Sequence, residues 1–392
     1  MDATLELPFF ESEHRRLHAD LSGWLESNLD DASAGHGDPG PAVRTLVREL
    51  ASGGWLSYAV PQMHDDVRRL DVRTVCLMRE ALAYRSGLAD VAFAMQGLGS
   101  LPIALFGSDE LRRRYLSEVT SGTTVAAFAI SEEGAGSDIA GITTVAREER
   151  GHWIIDGRKA WISNAPIAGL FVVFARTEEG AGSKGLSAFA VDGGSDGMRV
   201  EPVAVSAPHP IGTVEFDAVR LPADRLIGSR GDGFKIAMVT LDHFRATVGA
   251  AAVGFARRAL SEALTWVGAR TVGDRKLADY DLTRERLADM AVDVDAATLL
   301  VYRAAWMVDR VAGRHRRETS MAKLYATEAA QRVVDSAVQL LGARGVVDES
   351  PVERLYREVR PLRIYEGTSE IQKLIIARDL LATAETKGGD KT

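Results

Sequence analysis

The run Arg363-Ile-Tyr-Glu-Gly-Thr-Ser-Glu-Ile-Gln372 holds the residues best suited to do chemistry. One carboxylate, Glu366, sits beside a glycine and a threonine, between two apolar helical stretches. An ionised carboxylate taken out of water is costly unless it pairs, stays solvated or takes up a proton. Enzymes use that cost to tune a general base. Read alone, the run is equally a loop carrying a solvated glutamate. Two further runs combine hydroxyls with turns. Phe128-Ala-Ile-Ser-Glu-Glu-Gly-Ala-Gly-Ser-Asp138 passes through Gly134 and Gly136. Glycines let backbone N–H groups approach an anion or a polar ring, and Ser131 and Ser137 add hydroxyls. The alternative is an ordinary β-turn. In Gly157-Arg-Lys-Ala-Trp-Ile-Ser-Asn164, Trp161 and Ser163 stand two apart and share one face of a strand. The alternative is a hairpin with a core tryptophan.

Other chemistries find little support. Gly134 and Gly136 begin a G-x-G, but Ile139 stands where a dinucleotide-binding fingerprint needs its third glycine. Gly231 and Gly233 fail likewise at Ile236. There is no P-loop and no nucleophile elbow. His14 and His18 have i, i+4 spacing, but Arg15 replaces the glutamate of a zinc protease, so an exposed helix face is expected. Cys76 is the only cysteine. That excludes an internal disulfide and a cysteine-based metal site, and fits a reducing cytoplasm. No metal is expected. The net charge of -8 argues against nucleic acid or an anionic membrane as partner. Asp2, Glu6, Glu11 and Glu13 make the start unlike a signal or transit peptide. No apolar run is expected to reach the ~18 residues of a membrane span. The basic cluster Arg314–Arg317 reads as a solvated turn between helices.

With 392 residues the chain can build two or three domains. Helical spacing marks 13–28, 42–51, 73–86 and 109–119, with Asp109 as N-cap of the last. Residues 30–41 read as a loop. Near Thr123 the texture changes to short β-branched and aromatic runs: 124–130, 151–155, 170–175, 186–191 and 213–216. From Gly233 long amphipathic stretches return at 234–269, 282–312, 319–341 and 370–381, a four-helix pattern. The tail from Glu385 is polar and expected to fray. The resulting fold class is multidomain α+β. It has an N-terminal helical domain (1–122), a middle antiparallel β domain (123–232) and a C-terminal helical bundle (233–392).

Taken in order, these pieces resemble the FAD-dependent acyl-CoA dehydrogenase family over nearly the whole chain. The matching runs are AAFAISEEGAGSD (126–138), DGRKAWISNA (156–165), LPADRLIG (221–228), LDHFRATVGAAAVGFARRAL (241–260), SMAKLYATEAAQ (320–331), PVERLYREVR (351–360) and IYEGTSEIQKLIIAR (364–378). The resemblance implies oxidation of an acyl-CoA thioester to the trans-2-enoyl thioester. Glu366 is then the base that takes the α-proton, while the β-hydrogen leaves as hydride to flavin N5. The thioester carbonyl is polarised by the base's backbone N–H and a flavin ribityl hydroxyl.

By the same resemblance, Phe128, Ile130, Ser131, Gly136 and Ser137 meet FAD. Trp161 and Ser163 pack beside the ring near N5. Thr368 and Glu370 hold the dinucleotide. Arg270 reaches the pyrophosphate of a neighbouring subunit's FAD, and Gln339 to Gly342 closes the adenosine end. Ser137, Asp242, Phe244, Arg245, Tyr365, Gly367 and Arg378 match acyl or coenzyme A contacts. Asp242 and Arg245 also fit a plain i, i+3 ion pair. Some relatives carry the base where this chain has Phe244, which takes no proton; Phe244 shapes the acyl pocket or packs in the bundle. The expected partners are acyl-CoA, an electron-transfer flavoprotein and further copies of the chain, as a homodimer or homotetramer. Expected acyl groups are short, branched or cyclic.

The chain also departs from the family pattern. Ser131-Glu132-Glu133 replaces Thr-Glu-Pro, and Arg270-Thr-Val-Gly273 replaces Arg-x-x-Phe-Gly. Asp281 stands for a glutamine, and Gly342-Ala343 for a glycine pair. Ala207-Pro-His-Pro-Ile211 stands where relatives carry glycine and basic residues, and 61–70 lacks a double glycine. The resemblance leaves alternatives open: a dehydrogenase of carrier-protein-bound acyl groups, an acyl-CoA oxidase, a flavin monooxygenase of the same fold, or a non-catalytic nucleic-acid-binding relative.

Overall fold

Residues 170–176 and 186–192 are apolar at nearly every position, and both form inner strands buried on both faces. They belong to a sheet whose strands, in spatial order, are Leu226–Ile227, Leu186–Asp192, Leu170–Arg176, Val145–Glu149, His152–Ser163, Ile211–Pro222 and Met198–Val203. Ala126–Ala129 joins at the side of Leu170–Arg176. Most pairs are antiparallel, as expected from hairpin turns. Ala126–Ala129 instead runs parallel to Leu170–Arg176, which corrects the purely antiparallel expectation. Trp153, Ile155, Phe171, Val173, Phe189, Val214 and Phe216 fill the core beneath this sheet. Trp153 meets Phe189 edge-on, with ring centroids 5.1 Å apart.

The computed structural model describes residues 3–29, 37–64, 67–348 and 350–389. The sheet lies in a compact unit made of residues 34–71 and 91–241. The other unit comprises 1–33, 72–90 and 242–392 and is helical. Its elements are Ser12–Asn28, Val72–Arg85, Asp281–Arg310, Arg316–Leu341, Pro351–Val359 and Ser369–Gly389, together with most of Gly233–Ala269. In this unit Arg73 donates through Nε to Asp309 at 2.9 Å, and the Tyr302 hydroxyl donates to Glu80 at 2.6 Å. These buried polar bonds fix helix against helix.

Several sequence expectations shift. Ser108, not Asp109, caps the helix Asp109–Thr120: its side chain accepts from the Leu111 N–H at 3.2 Å, a contact worth ~1 kcal/mol. His14 is buried rather than exposed, and its Nδ1 accepts from the Glu11 N–H at 3.2 Å. Of the basic cluster, Arg314 and His315 lie in the turn between two helices as expected, whereas Arg316 opens the second helix and pairs with Asp242 at 2.8 Å. Two helices, Gly87–Phe106 and Gly233–Ala269, do have membrane length and apolarity, with 89% and 78% of their most apolar windows buried. Such burial is that of core helices in a folded protein. The last helix runs on to Gly389, through most of the tail expected to fray. Of the loop at 30–41, residues 30–36 lie outside the described residues. Residues 62–64 and 67–69 form a small hairpin.

Candidate active site

Glu366 lies where the 3-10 turn Arg360–Arg363 gives way to the helix Ser369–Gly389. Its φ is 54° and that of Gly367 is 93°, both in the left-handed region. The φ of Gly367 strains any residue with a Cβ, which would also fall 2.5 Å from Gln372 Nε2 and displace that amide. A left-handed glutamate costs ~1–3 kcal/mol and needs outside support. Buried Gln372 supplies part of it, its Nε2 donating to the carbonyls of Glu366 at 3.2 Å and Gly367 at 2.9 Å. Lys323 supplies the rest. Its side chain is fully buried, and Nζ donates to the Gly367 carbonyl at 2.7 Å. The Thr368 carbonyl then starts the next helix by accepting from Gln372 N at 3.0 Å.

Around this turn the helical unit concentrates charge. Arg79 is buried and grips Asp90 with two bonds of 2.8 Å, while its third nitrogen donates to the Thr247 hydroxyl at 3.0 Å. Arg245 pairs with Asp242, which also receives Arg316. The i, i+3 ion pair anticipated from sequence is therefore present. Phe244 is 1% exposed and is a core residue of the helical unit. Glu366 Oε2 is buried and has no hydrogen-bond partner. Burial raises the Glu366 pKa above the usual carboxylate range, and the attraction of Arg79, Lys323 and Arg245 does not offset it. Burial likewise lowers Lys323, to about 8, against the pull of Glu366. Cations crowd the carboxylate, yet none forms a direct bond to Oε2.

The sheet unit presents a different surface. Ala160 N donates to the Ser131 carbonyl at 2.9 Å, holding Ser131 beside the strand His152–Ser163. Lys159 points inward, with Nζ 3.1 Å from the Ile130 carbonyl and 2.9 Å from Glu132 Oε1. The register then slips between Lys159 and Ile162, and Trp161 takes a φ of 55°. A bulge of this kind re-aims a side chain. The Trp161 ring is 53% exposed, which overturns the core-tryptophan alternative. Phe128 and Ile130 are largely buried, Phe128 against Phe174 with centroids 4.9 Å apart. Ser131 and Ser163 are half-buried, and Gly136 and Ser137 are exposed. Neither Gly134 nor Gly136 has a positive φ, and no protein atom crowds either position.

Family descriptions for the acyl-CoA dehydrogenase N-terminal, middle and C-terminal domains match residues 11–123, 127–219 and 231–381. The chain belongs to the acyl-CoA dehydrogenase family. It is 40% identical over 385 residues to the mitochondrial short-chain specific acyl-CoA dehydrogenase of Bos taurus, covering 96% of this chain and 92% of that one. It is 32% identical to the 3-(aryl)acrylate reductase of Clostridium sporogenes, covering 95% and 100%. A solved glutaryl-coenzyme A dehydrogenase in its glutaryl-CoA complex overlays with a TM-score of 0.86 at 28% identity, covering 95% of this chain and 96% of that one.

An acyl-CoA dehydrogenase family member is an oxidoreductase with FAD as cofactor. The surface at Trp161 fits such a group: a held, exposed indole and two half-buried hydroxyls suit a flat, polar-edged ring. The remaining residues carried over from the family pattern lie mostly on the surface. Arg270, Gln339, Glu370 and Arg378 are exposed, and Gly342 ends the helix Arg316–Leu341 with a φ of 61°. Thr368 Oγ1 accepts from Ile371 N at 3.4 Å and acts as a helix cap. Tyr365 is partly exposed.

Sequence reasoning missed Arg79, Asp90, Lys323, Lys159 and His209. Arg79 follows Val72, Val75 and Cys76 at helical spacing, and Lys323 precedes Ala326 and Ala330 in the same way. A charge on an apolar stripe was the available signal.

Proposed function

We propose that this chain dehydrogenates a short acyl-CoA thioester between its α and β carbons, with Glu366 as the α-proton base. The observation that carries this reading is Glu366 itself: a carboxylate on a strained turn, one oxygen buried without a partner, its pKa raised. Raised basicity brings the carboxylate closer to the α-proton it must take. An oxygen already hydrogen-bonded would be a weaker acceptor. FAD, when bound, accepts the β-hydrogen as hydride. Every other step falls to the chain. Gln372 and Lys323 hold the turn so that the Glu366 side chain keeps one direction. The Glu366 backbone N–H is the donor for the thioester carbonyl, which gains negative charge as the proton leaves. Ser131, Trp161 and Ser163 are the flavin contacts in this reading.

One support concerns the substrate. The 40% identity to a short-chain enzyme favours a short acyl group. An electron-transfer flavoprotein is the proposed acceptor, and a homodimer or homotetramer the proposed assembly. The test is anaerobic mixing of the FAD-loaded protein with a panel of acyl-CoA thioesters, followed by flavin absorbance. Short acyl groups bleach the flavin, and Glu366→Gln binds FAD yet does not bleach. Full bleaching by that variant would remove Glu366 from the mechanism.

A further inference from the structure

The strand His152–Ser163 ends beside the start of Ile211–Pro222. Their register sets Ile162 opposite Gly212 and Ser163 opposite Ile211. Just beyond, Asn164 turns through a φ of 63°, and its N–H donates to the Pro210 carbonyl at 2.7 Å. This pairing draws the segment before Ile211 alongside Ser163. That segment is Ala207-Pro-His-Pro210, the stretch that departs from the family's glycine and basic pattern. Pro208 has a fixed φ, and Pro210 confines His209 to extended backbone. The result is a stiff arm that places His209 Nε2 2.8 Å from Ser163 Oγ. Ser163 is thus bonded to a histidine 46 residues away.

Burial alone lowers the His209 imidazole, to about 4, so it is neutral at ordinary pH. A neutral imidazole has one donor and one acceptor nitrogen, and the tautomer decides which is which. A serine hydroxyl has one proton and two lone pairs. When Nε2 donates to Ser163, the serine proton is free to be given elsewhere. When Nε2 accepts from Ser163, the serine lone pairs are free to receive. Flavin N5 offers a lone pair when oxidised and an N–H when reduced, so it calls for each arrangement in turn.

We propose that His209 is a positioning residue that sets the direction of the Ser163 hydroxyl toward flavin N5, and so biases the balance between oxidised and reduced flavin. This inference rests on the reading of Ser163 as a flavin contact. The test uses FAD-loaded protein, with midpoint potential and visible spectrum recorded for His209→Leu, His209→Gln, Ser163→Ala and the double variant Ser163→Ala with His209→Leu. A lost hydrogen bond changes the oxidised-to-reduced ratio at fixed potential by about five- to tenfold. His209→Leu gives that change, His209→Gln restores much of it because an amide keeps a donor and an acceptor, and the double variant matches Ser163→Ala. A thermal melt of each variant confirms that it is folded. A shift in Ser163→Ala with none in folded His209→Leu overturns the role of His209 and leaves Ser163 as a flavin contact. No shift in Ser163→Ala removes both, without touching Glu366.

Discussion

Glu132 is a buried carboxylate and Glu366 has one buried oxygen, yet the two have opposite fates. Glu132, in the sheet unit, accepts from the N–H and hydroxyl of Thr143, the N–H and hydroxyl of Thr144, and Lys159. Burial opposes its charge, but Lys159 and these bonds hold its pKa down to about 2. Glu366, in the helical unit, lies within the field of Arg79, Lys323 and Arg245, yet its pKa is raised. The difference is contact: Lys159 touches Glu132 and pairs its charge directly, with the threonine donors adding to it, whereas no cation bonds Glu366 Oε2. Charge acting without contact does not offset burial, whereas a bonded cation backed by short donors does. One carboxylate is finished as structure. The other is left with an oxygen to use.

The largest effects should come from removing each carboxylate. Glu366→Gln should slow single-turnover flavin reduction by ~10²–10⁴-fold, the range for a lost general base. A loss under tenfold would place the chemistry elsewhere. Glu132→Ala should instead cost ~3–5 kcal/mol in denaturant unfolding, because Lys159 is left buried and unpaired. Unchanged stability would contradict the contrast drawn between the two sites.

Lys323→Met comes next. It removes a cation that lowers the Glu366 pKa and a donor to the turn. The base needs its ionised form, so the acid limb of the pH–rate profile should move to higher pH. A lower rate with an unmoved limb would mean that Lys323 acts on the turn alone.

The smallest effect is on stability against pH, and its sign differs between the sites. The depressed pKa of Glu132 contributes stability above the usual carboxylate range that is lost as pH falls toward about 2. The raised pKa of Glu366 does the reverse: the folded state holds its proton longer, so stability falls as pH rises through the usual range to the raised value. Glu366→Gln should therefore melt higher than the parent at neutral pH, by a margin that vanishes in acid. An equal margin at both pH values would argue against a raised pKa.

The sequence made the helical zones and most strands legible because their apolar periods are clean. The helix Gly87–Phe106 was not legible, since its buried side chains cover nearly every face and leave no period to read. The parallel run of Ala126–Ala129 was hidden for a similar reason: alternation looks the same whichever way a neighbour points. At the site, Glu366 and its glycine stood out through local chemistry. The contact between His209 and Ser163 did not, because sheet register alone brings them together. Lys323 and Arg79 reach inward from helices whose charged residues ordinarily face water.

The bulge that turns Trp161 outward also gives the protein a built-in optical label. Trp153 and Trp55 are buried, and among the described residues Trp161 is the only tryptophan more than a third exposed. Water around an indole shifts its emission to the red, and a flat aromatic group laid against it quenches the light. Binding at this surface can therefore be followed by intrinsic fluorescence, with Trp161→Phe as the silent control.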